Sequence, residues 1–223
     1  MNEYKGAKRL PSKKNDVYRY GDVVIKKFSD AERFRMETEI GSLLEKSDIL
    51  TPPRLSVNQT AYINVYRFIE AIPVVDLIED SELQLAEEIV HKIYLWVMDF
   101  YALTREMTGQ QYILGDVHLR NFLYQPDSQK LYGIDFEECR QGRIESDLAR
   151  FYVFLLHYDP AFTPRKKALG AFWLDIIQAP STLDINFFQQ EVERETAELL
   201  ARRQHRNSSL ISPPVREQRN INP

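Results

Sequence analysis

The chain has 223 residues, of which 43% are hydrophobic and 28% charged, and its formal net charge is −4. That is enough for one large domain or two small lobes around a cleft, and the mild acidity gives no general attraction for nucleic acid or an anionic membrane. No apolar run approaches the roughly 20 residues a membrane-spanning helix needs, the opening MNEYKGAKRLPSKK lacks the apolar core of a secretion signal, and the single cysteine, Cys139, excludes an internal disulfide and suits a reducing, cytoplasmic interior.

Residues 4–28 read as three short strands. A polar turn from Pro11 to Asn15 precedes Asp16 to Tyr20, and Gly21-Asp22 separates that run from Val23 to Phe28. Strand alternation puts Val24, Lys26 and Phe28 on one face and Ile25 and Lys27 on the other. Lys26 thus points inward between apolar neighbours, where a lysine needs a partner or a ligand. Ser29 and Glu32 form a capping box for a helix that runs to about Lys46, ahead of Thr51-Pro52-Pro53. On that helix Phe34, Glu37, Ile40, Gly41 and Leu44 share a face, so Glu37 interrupts an apolar stripe. Glu39, near Met36 and Leu43, is the other acidic candidate.

Ala61 to Phe68 alternates as a strand, and Val74 to Ile78 is expected to start the second of the two lobes. A long helix from about Ser81 to Met107 follows, with Ile89, Val90, Ile93, Val97 and Phe100 on its inward stripe. Trp96 is expected in packing and His91 on the helix surface. Further helices are expected from Glu145, from Pro164 to Gln178 and from Ile185 to Gln204, and residues 205–223, rich in Pro, Ser, Asn and Arg without periodicity, are expected to be disordered.

The stretch from Tyr112 to Cys139, YILGDVHLRNFLYQPDSQKLYGIDFEEC, carries the chemistry. Asp116 and Asn121 are separated by four residues, the apolar run Phe122 to Tyr124 follows, and a polar turn leads to a second run, Leu131 to Ile134, which ends at Asp135. Two apolar runs joined by a Pro-, Asp- and Ser-containing turn predict a hairpin with three oxygen-bearing side chains at one rim. Phosphoryl transfer asks for such a set: a carboxylate for the attacking hydroxyl and oxygen ligands for Mg²⁺.

Asp-x-x-x-x-Asn followed by Asp-Phe is the protein-kinase order. LGDVHLRN and GIDFEE resemble most closely the HGDxHxxN and IDFE motifs of the small-molecule branch of that superfamily, the aminoglycoside phosphotransferase and choline kinase relatives. Leu114 replaces the first histidine of that pattern. The resemblance covers about residues 4–158. Only nine residues separate Asp135 from Glu145 and no Ala-Pro-Glu follows, which leaves no room for a phosphorylatable activation loop and sets the chain apart from conventional protein kinases.

The resemblance implies a two-lobed α+β protein-kinase-like fold, with a small N-terminal antiparallel sheet plus one helix over residues 1–70 and a mostly helical lobe over 71–204. It implies ATP in the cleft and transfer of its γ-phosphoryl group to a hydroxyl, most simply of a small molecule. Ser12, in an S-x-x-N-x-V-Y sequence similar to that of small-molecule kinases, would contact phosphates, with Lys13 or Lys14 as further candidates. Lys26 would hold the α and β phosphates and Glu37 would pair with it. Tyr66, Phe68 and Glu70 would form the adenine-binding hinge. Asp116 would orient the acceptor, His118 would contact the transferring phosphate or organise the loop, and Asn121 and Asp135 would hold Mg²⁺. Glu137 is either a support for the metal site or a surface carboxylate. Asp147 either braces the catalytic-loop backbone or caps a helix. A kinase acting on a protein or lipid-linked sugar, and a nucleotide-binding pseudokinase that regulates a partner, are the alternatives.

Overall fold

A β-branched and aromatic first third of the chain builds one antiparallel sheet. In the computed structural model, which describes residues 6–179 and 183–211, β1 (Lys8–Arg9), β2 (Asp16–Tyr20), β3 (Val23–Lys27), β4 (Arg54–Asn58) and β5 (Ile63–Arg67) pair in the order β1-β2-β3-β5-β4. β3 lies in the middle, with Lys26 opposite Val17 on one side and Asn64 on the other. Lys26 is buried and Lys27 exposed, as alternation requires.

The helix α1 (Ala31–Leu44) crosses this sheet and buries Phe34, Glu37, Ile40 and Leu44. Its cap is Asp30, whose carboxylate accepts the Glu32 and Arg33 N–H groups at 2.9 and 3.0 Å. The expected Ser29 capping box does not form: the helix starts one residue later with Asp30 as its cap, and the Ser29 hydroxyl donates to the Lys14 carbonyl, 2.8 Å away. Phe28 meets Phe34 edge to face beneath the sheet, with ring centroids 5.5 Å apart.

After β5 the chain passes through Phe68–Ala71 into β6 (Ile72–Pro73), the short helix α2 (Val74–Leu77) and the 26-residue helix α3 (Leu83–Thr108). β7 (Tyr112–Ile113) and β10 (Arg140–Gln141) pair and close the base of the central stretch. Between them lie a 3-10 turn at Leu119–Asn121 and the expected hairpin, β8 (Phe122–Gln125) with β9 (Lys130–Gly133), which joins β6 in a three-stranded sheet. Trp96 of α3 packs against this hairpin and donates from Nε1 to the Leu50 carbonyl at 2.9 Å; the Gly133 N–H donates to the same carbonyl at 3.0 Å. A Cβ at Gly133 would lie 2.3 Å from the Trp96 ring, so this approach admits only glycine without repacking.

α4 (Ile144–His157), α5 (Pro164–Gln178) and α6 (Ile185–Ile211) complete the helical half, with α5 packing on α3 and α4, and α6 packing on α4. Trp173 of α5 fills its centre, 4.3 Å from the Phe151 ring of α4. α6 continues beyond Gln204 and takes in the first seven residues of the segment expected to be disordered; no Gly or Pro interrupts Ile185 to Ile211. The remainder of that expectation, 212–223, lies outside the described residues. No helix among the described residues is long and apolar enough to cross a membrane.

Candidate active site

β3 carries Lys26 inward, and three carboxylates from other parts of the chain converge on its ammonium. Nζ lies 2.8 Å from Glu37 Oε2 on α1, 2.6 Å from Asp135 Oδ1 and 3.1 Å from Glu137 Oε2. Burial opposes charge on Lys26, and the surrounding carboxylates outweigh it, holding the group above the ordinary lysine range. Burial likewise raises the Glu37 carboxyl, and the Lys26 ammonium and Tyr66 hydroxyl limit the rise. Glu37 Oε2 also accepts the Phe136 N–H at 3.0 Å, tying α1 to the turn after Asp135. Glu39, by contrast, is exposed and pairs with Arg35.

Asp135 stands at the end of β9 with φ 70°, a conformation costly for a side-chain-bearing residue and found where a site fixes it. Asp116, Asn121 and Asp135 line one recess with Leu114, Val117 and Ile134. Asn121 Nδ2 donates to the Asp116 carbonyl at 2.6 Å, which turns the amide oxygen away from that bond. An amide oxygen beside a half-exposed carboxylate is a hard oxygen donor set that suits Mg²⁺. Glu137 is buried and engaged by Asn15, Lys26 and Arg33, so it is not a surface carboxylate. Glu37, Asp135 and Glu137 do place carboxylate oxygens within 4.8 Å of one another, with the Lys26 ammonium between them.

The catalytic-loop candidate is held from behind by Asp147. This residue is buried within α4, where one oxygen accepts the Leu114 N–H at 2.5 Å and the Tyr101 hydroxyl at 2.9 Å and the other accepts the Gly115 N–H at 2.9 Å. The N-cap of the helix is Arg143, so Asp147, one turn in, is not its cap; its bonds to the Leu114 and Gly115 N–H groups brace the loop. Burial raises its carboxyl and the donors it accepts oppose that rise. Gly115 has φ 76°, and a Cβ there would meet the Glu138 carbonyl at 2.3 Å. Leu114 fits its apolar surroundings, in the recess lined by Trp96, Phe122 and Phe136.

His118 Nδ1 accepts the Arg120 N–H at 3.2 Å, which leaves the ring proton on Nε2, 3.8 Å from Asp116 Oδ2. Burial lowers its pKa, so the ring is neutral near pH 7. Its ring lies 5.5 Å from that of Phe154 on α4.

Other expected residues have structural partners. The Ser12 hydroxyl accepts the Asn15 N–H at 3.2 Å inside the turn before β2. Tyr66 still belongs to β5, and its hydroxyl turns inward to donate to Glu37 at 2.9 Å. Phe68 lies under the Arg19 guanidinium, 3.5 Å from the ring centroid, and its N–H donates to the Asp22 carbonyl. The Glu70 carbonyl accepts from Gln125.

Sequence reasoning missed Asn15, Arg33, Arg150 and Glu195 as site residues. Lys14 and Asn15 tie the first turn to Glu138 and Glu137, while Arg33 bridges α1 to both carboxylates. Glu195 had a legible signal: with Phe188, Val192 and Leu199 it shares an apolar stripe, as Glu37 does on α1.

No protein-family model matches the chain, and no curated protein matches it by sequence. Solved structures do match. An aminoglycoside-3'-phosphotransferase of type VIII aligns over 88% of this chain and 96% of its own, with TM-score 0.65 at 13% identity. The aminoglycoside phosphotransferase APH(3'')-Id of Streptomyces rimosus aligns over 87% and 94%, with TM-score 0.53 at 14% identity. Amicoumacin kinase hAmiN, in complex with AMP-PNP, Ca²⁺ and Ami, aligns over 77% and 71%, with TM-score 0.50 at 14% identity. The fold is protein-kinase-like. Within this kinase-like fold the sheet with α1 is the small lobe, the helices form the large lobe, and the carboxylates around Lys26 lie where the two meet.

Proposed function

We propose that the chain is an ATP- and Mg²⁺-dependent phosphotransferase that moves the γ-phosphoryl group of ATP to a hydroxyl of a small molecule in the cytoplasm. The observation that carries this is the convergence of Glu37 and Asp135 on Lys26, with Asp116 and Asn121 in the adjoining recess. A bare carboxylate cluster would be repulsive; a lysine held inside one, at the meeting of two lobes, suits the binding of phosphate oxygens.

In this proposal Lys26 turns toward the α and β phosphates while Glu37 keeps its ammonium in place. Asp116 accepts a hydrogen bond from the acceptor hydroxyl and takes its proton as the oxygen bonds to the γ-phosphorus and the bond to ADP breaks. The transition state is loose, so Asp116 chiefly orients the acceptor. His118, neutral and fixed by the Arg120 N–H, offers its Nε2–H toward the same space. Asn121 and Asp135 would hold Mg²⁺, which when bound neutralises charge on the phosphates. Backbone groups of the linker at Phe68–Ala71 are proposed to receive the adenine. The fold likeness to aminoglycoside phosphotransferases supports a small-molecule acceptor.

Incubation with γ-labelled ATP and a fractionated metabolite extract tests the proposal. The expected result is label in a small metabolite, lost with Asp116→Asn. Label confined to protein or glycolipid would replace the acceptor class, and equal effects of wild type and Asp116→Asn on a partner would favour a regulator over an enzyme.

A further inference from the structure

Arg150 lies on α4 one turn after Asp147 and reaches the catalytic loop from the opposite side. Its Nη1 donates to the Gly115 carbonyl and lies 3.8 Å from Asp116 Oδ1. Its Nη2 lies 2.8 Å from Glu195 Oε1 on α6. Glu195 is 1% exposed, and Oε1 also receives Arg194 at 2.8 Å, while Oε2 is buried with no hydrogen-bond partner among the described residues.

That arrangement is a poor way to pack two helices. A buried carboxylate with one oxygen unsatisfied is costly, and an apolar residue of similar volume would serve an α4–α6 contact better. The charge is explained by what Arg150 would do without it. An uncompensated guanidinium near Asp116 needs to shift by only about 1 Å to form a direct, charge-assisted pair with that carboxylate, and the pair would occupy the oxygen that an acceptor hydroxyl needs.

Resting on the phosphotransferase proposal, we infer that Glu195 is a positioning residue: it holds Arg150 on the Gly115 carbonyl and away from Asp116, so that Asp116 stays free to receive the acceptor. The last helix of the large lobe thereby controls the competence of the catalytic loop without touching nucleotide or acceptor.

The test uses Glu195→Gln, Arg150→Gln and their double variant in the full chain. ATP turnover, with the acceptor or with water as acceptor, is read alongside calorimetric MgATP affinity. Glu195→Gln is expected to lower kcat about tenfold, a loss of the size that small misplacements of reacting groups produce, and to leave MgATP affinity within about twofold. Adding Arg150→Gln is expected to restore part of the loss, because the intruding cation is gone. A double variant no more active than Glu195→Gln alone overturns the inference.

A wild type without turnover would count against the phosphotransferase proposal, and a stability cycle then reads the geometry without catalysis. Asp116→Asn is expected to lower the thermal midpoint more in the Glu195→Gln background than in the wild type, since it breaks the new pair with Arg150. Equal shifts in the two backgrounds overturn the inference.

Discussion

The Lys26 ammonium lies 2.8 Å from the Glu37 carboxylate, and both side chains are at least nine-tenths buried. This pair joins β3 to α1, and through Asp135 it joins the small lobe to the turn after β9. Removing one side of such a buried pair leaves the other uncompensated, at a cost of about 3–5 kcal/mol. Lys26→Met leaves three carboxylates facing one another and is expected to lower stability by that amount in urea denaturation. Glu37→Gln is expected to cost less, since Asp135 and Glu137 still balance the ammonium. A Lys26→Met protein as stable as the wild type would contradict the convergence.

Asp147 accepts two loop N–H groups and one hydroxyl in full burial. Asp147→Asn replaces one acceptor oxygen by an NH₂ group that faces a donor. A buried donor left without an acceptor costs about 1–3 kcal/mol. The expected outcome is that loss in denaturation, together with faster amide hydrogen exchange at Leu114 and Gly115. Unchanged exchange at those two amides would show that the loop does not depend on the brace.

Gly133→Ala drives a methyl into the Trp96 ring. Overpacking of this kind costs about 1–3 kcal/mol, and for a chain this size each kcal/mol moves the midpoint by roughly 2–4 °C. Trp96→Leu in the same chain removes the obstacle, so the double variant is expected to lose less than the sum of the singles. Strict additivity would contradict the contact.

Cys139 is buried, and burial pushes its thiol well above the ordinary range, with the nearby Asp147 carboxylate adding to the effect. A thiol-specific disulfide reagent at pH 8 is expected to modify no cysteine in the folded protein and one equivalent in denaturant. Rapid modification without unfolding would contradict that burial.

Where the candidate site was legible in the sequence, a periodic pattern was broken by a charge. Lys26 faced inward by strand alternation, and Glu37 interrupted a helical stripe. Asp135 was legible as the end of an apolar run. The helix start was misread because Ser29 and Asp30 both offer capping oxygens, and the chain takes up helical geometry only after Asp30, which the local sequence does not decide. Tyr66 was read both as the end of a strand and as the start of the hinge; the bond from its hydroxyl to Glu37, 29 residues away in sequence, had no local signal. Glu195 carries the same signal as Glu37, but its meaning depends on Arg150, 45 positions away in sequence. The need for glycine at 133 comes from Trp96, on a different element, and no local pattern encodes it.

The most direct measurement is the thermal midpoint with ATP, with and without Mg²⁺, for the wild type and for Asp135→Ala. Ligand at about a hundred times its dissociation constant adds roughly 2.7 kcal/mol, which at about 2–4 °C per kcal/mol is a rise of several degrees. The account predicts a Mg²⁺-dependent rise in the wild type and its loss in Asp135→Ala, each compared with its own ligand-free midpoint. No rise with saturating MgATP, or an equal rise in Asp135→Ala, would contradict a metal-nucleotide site at Asp135.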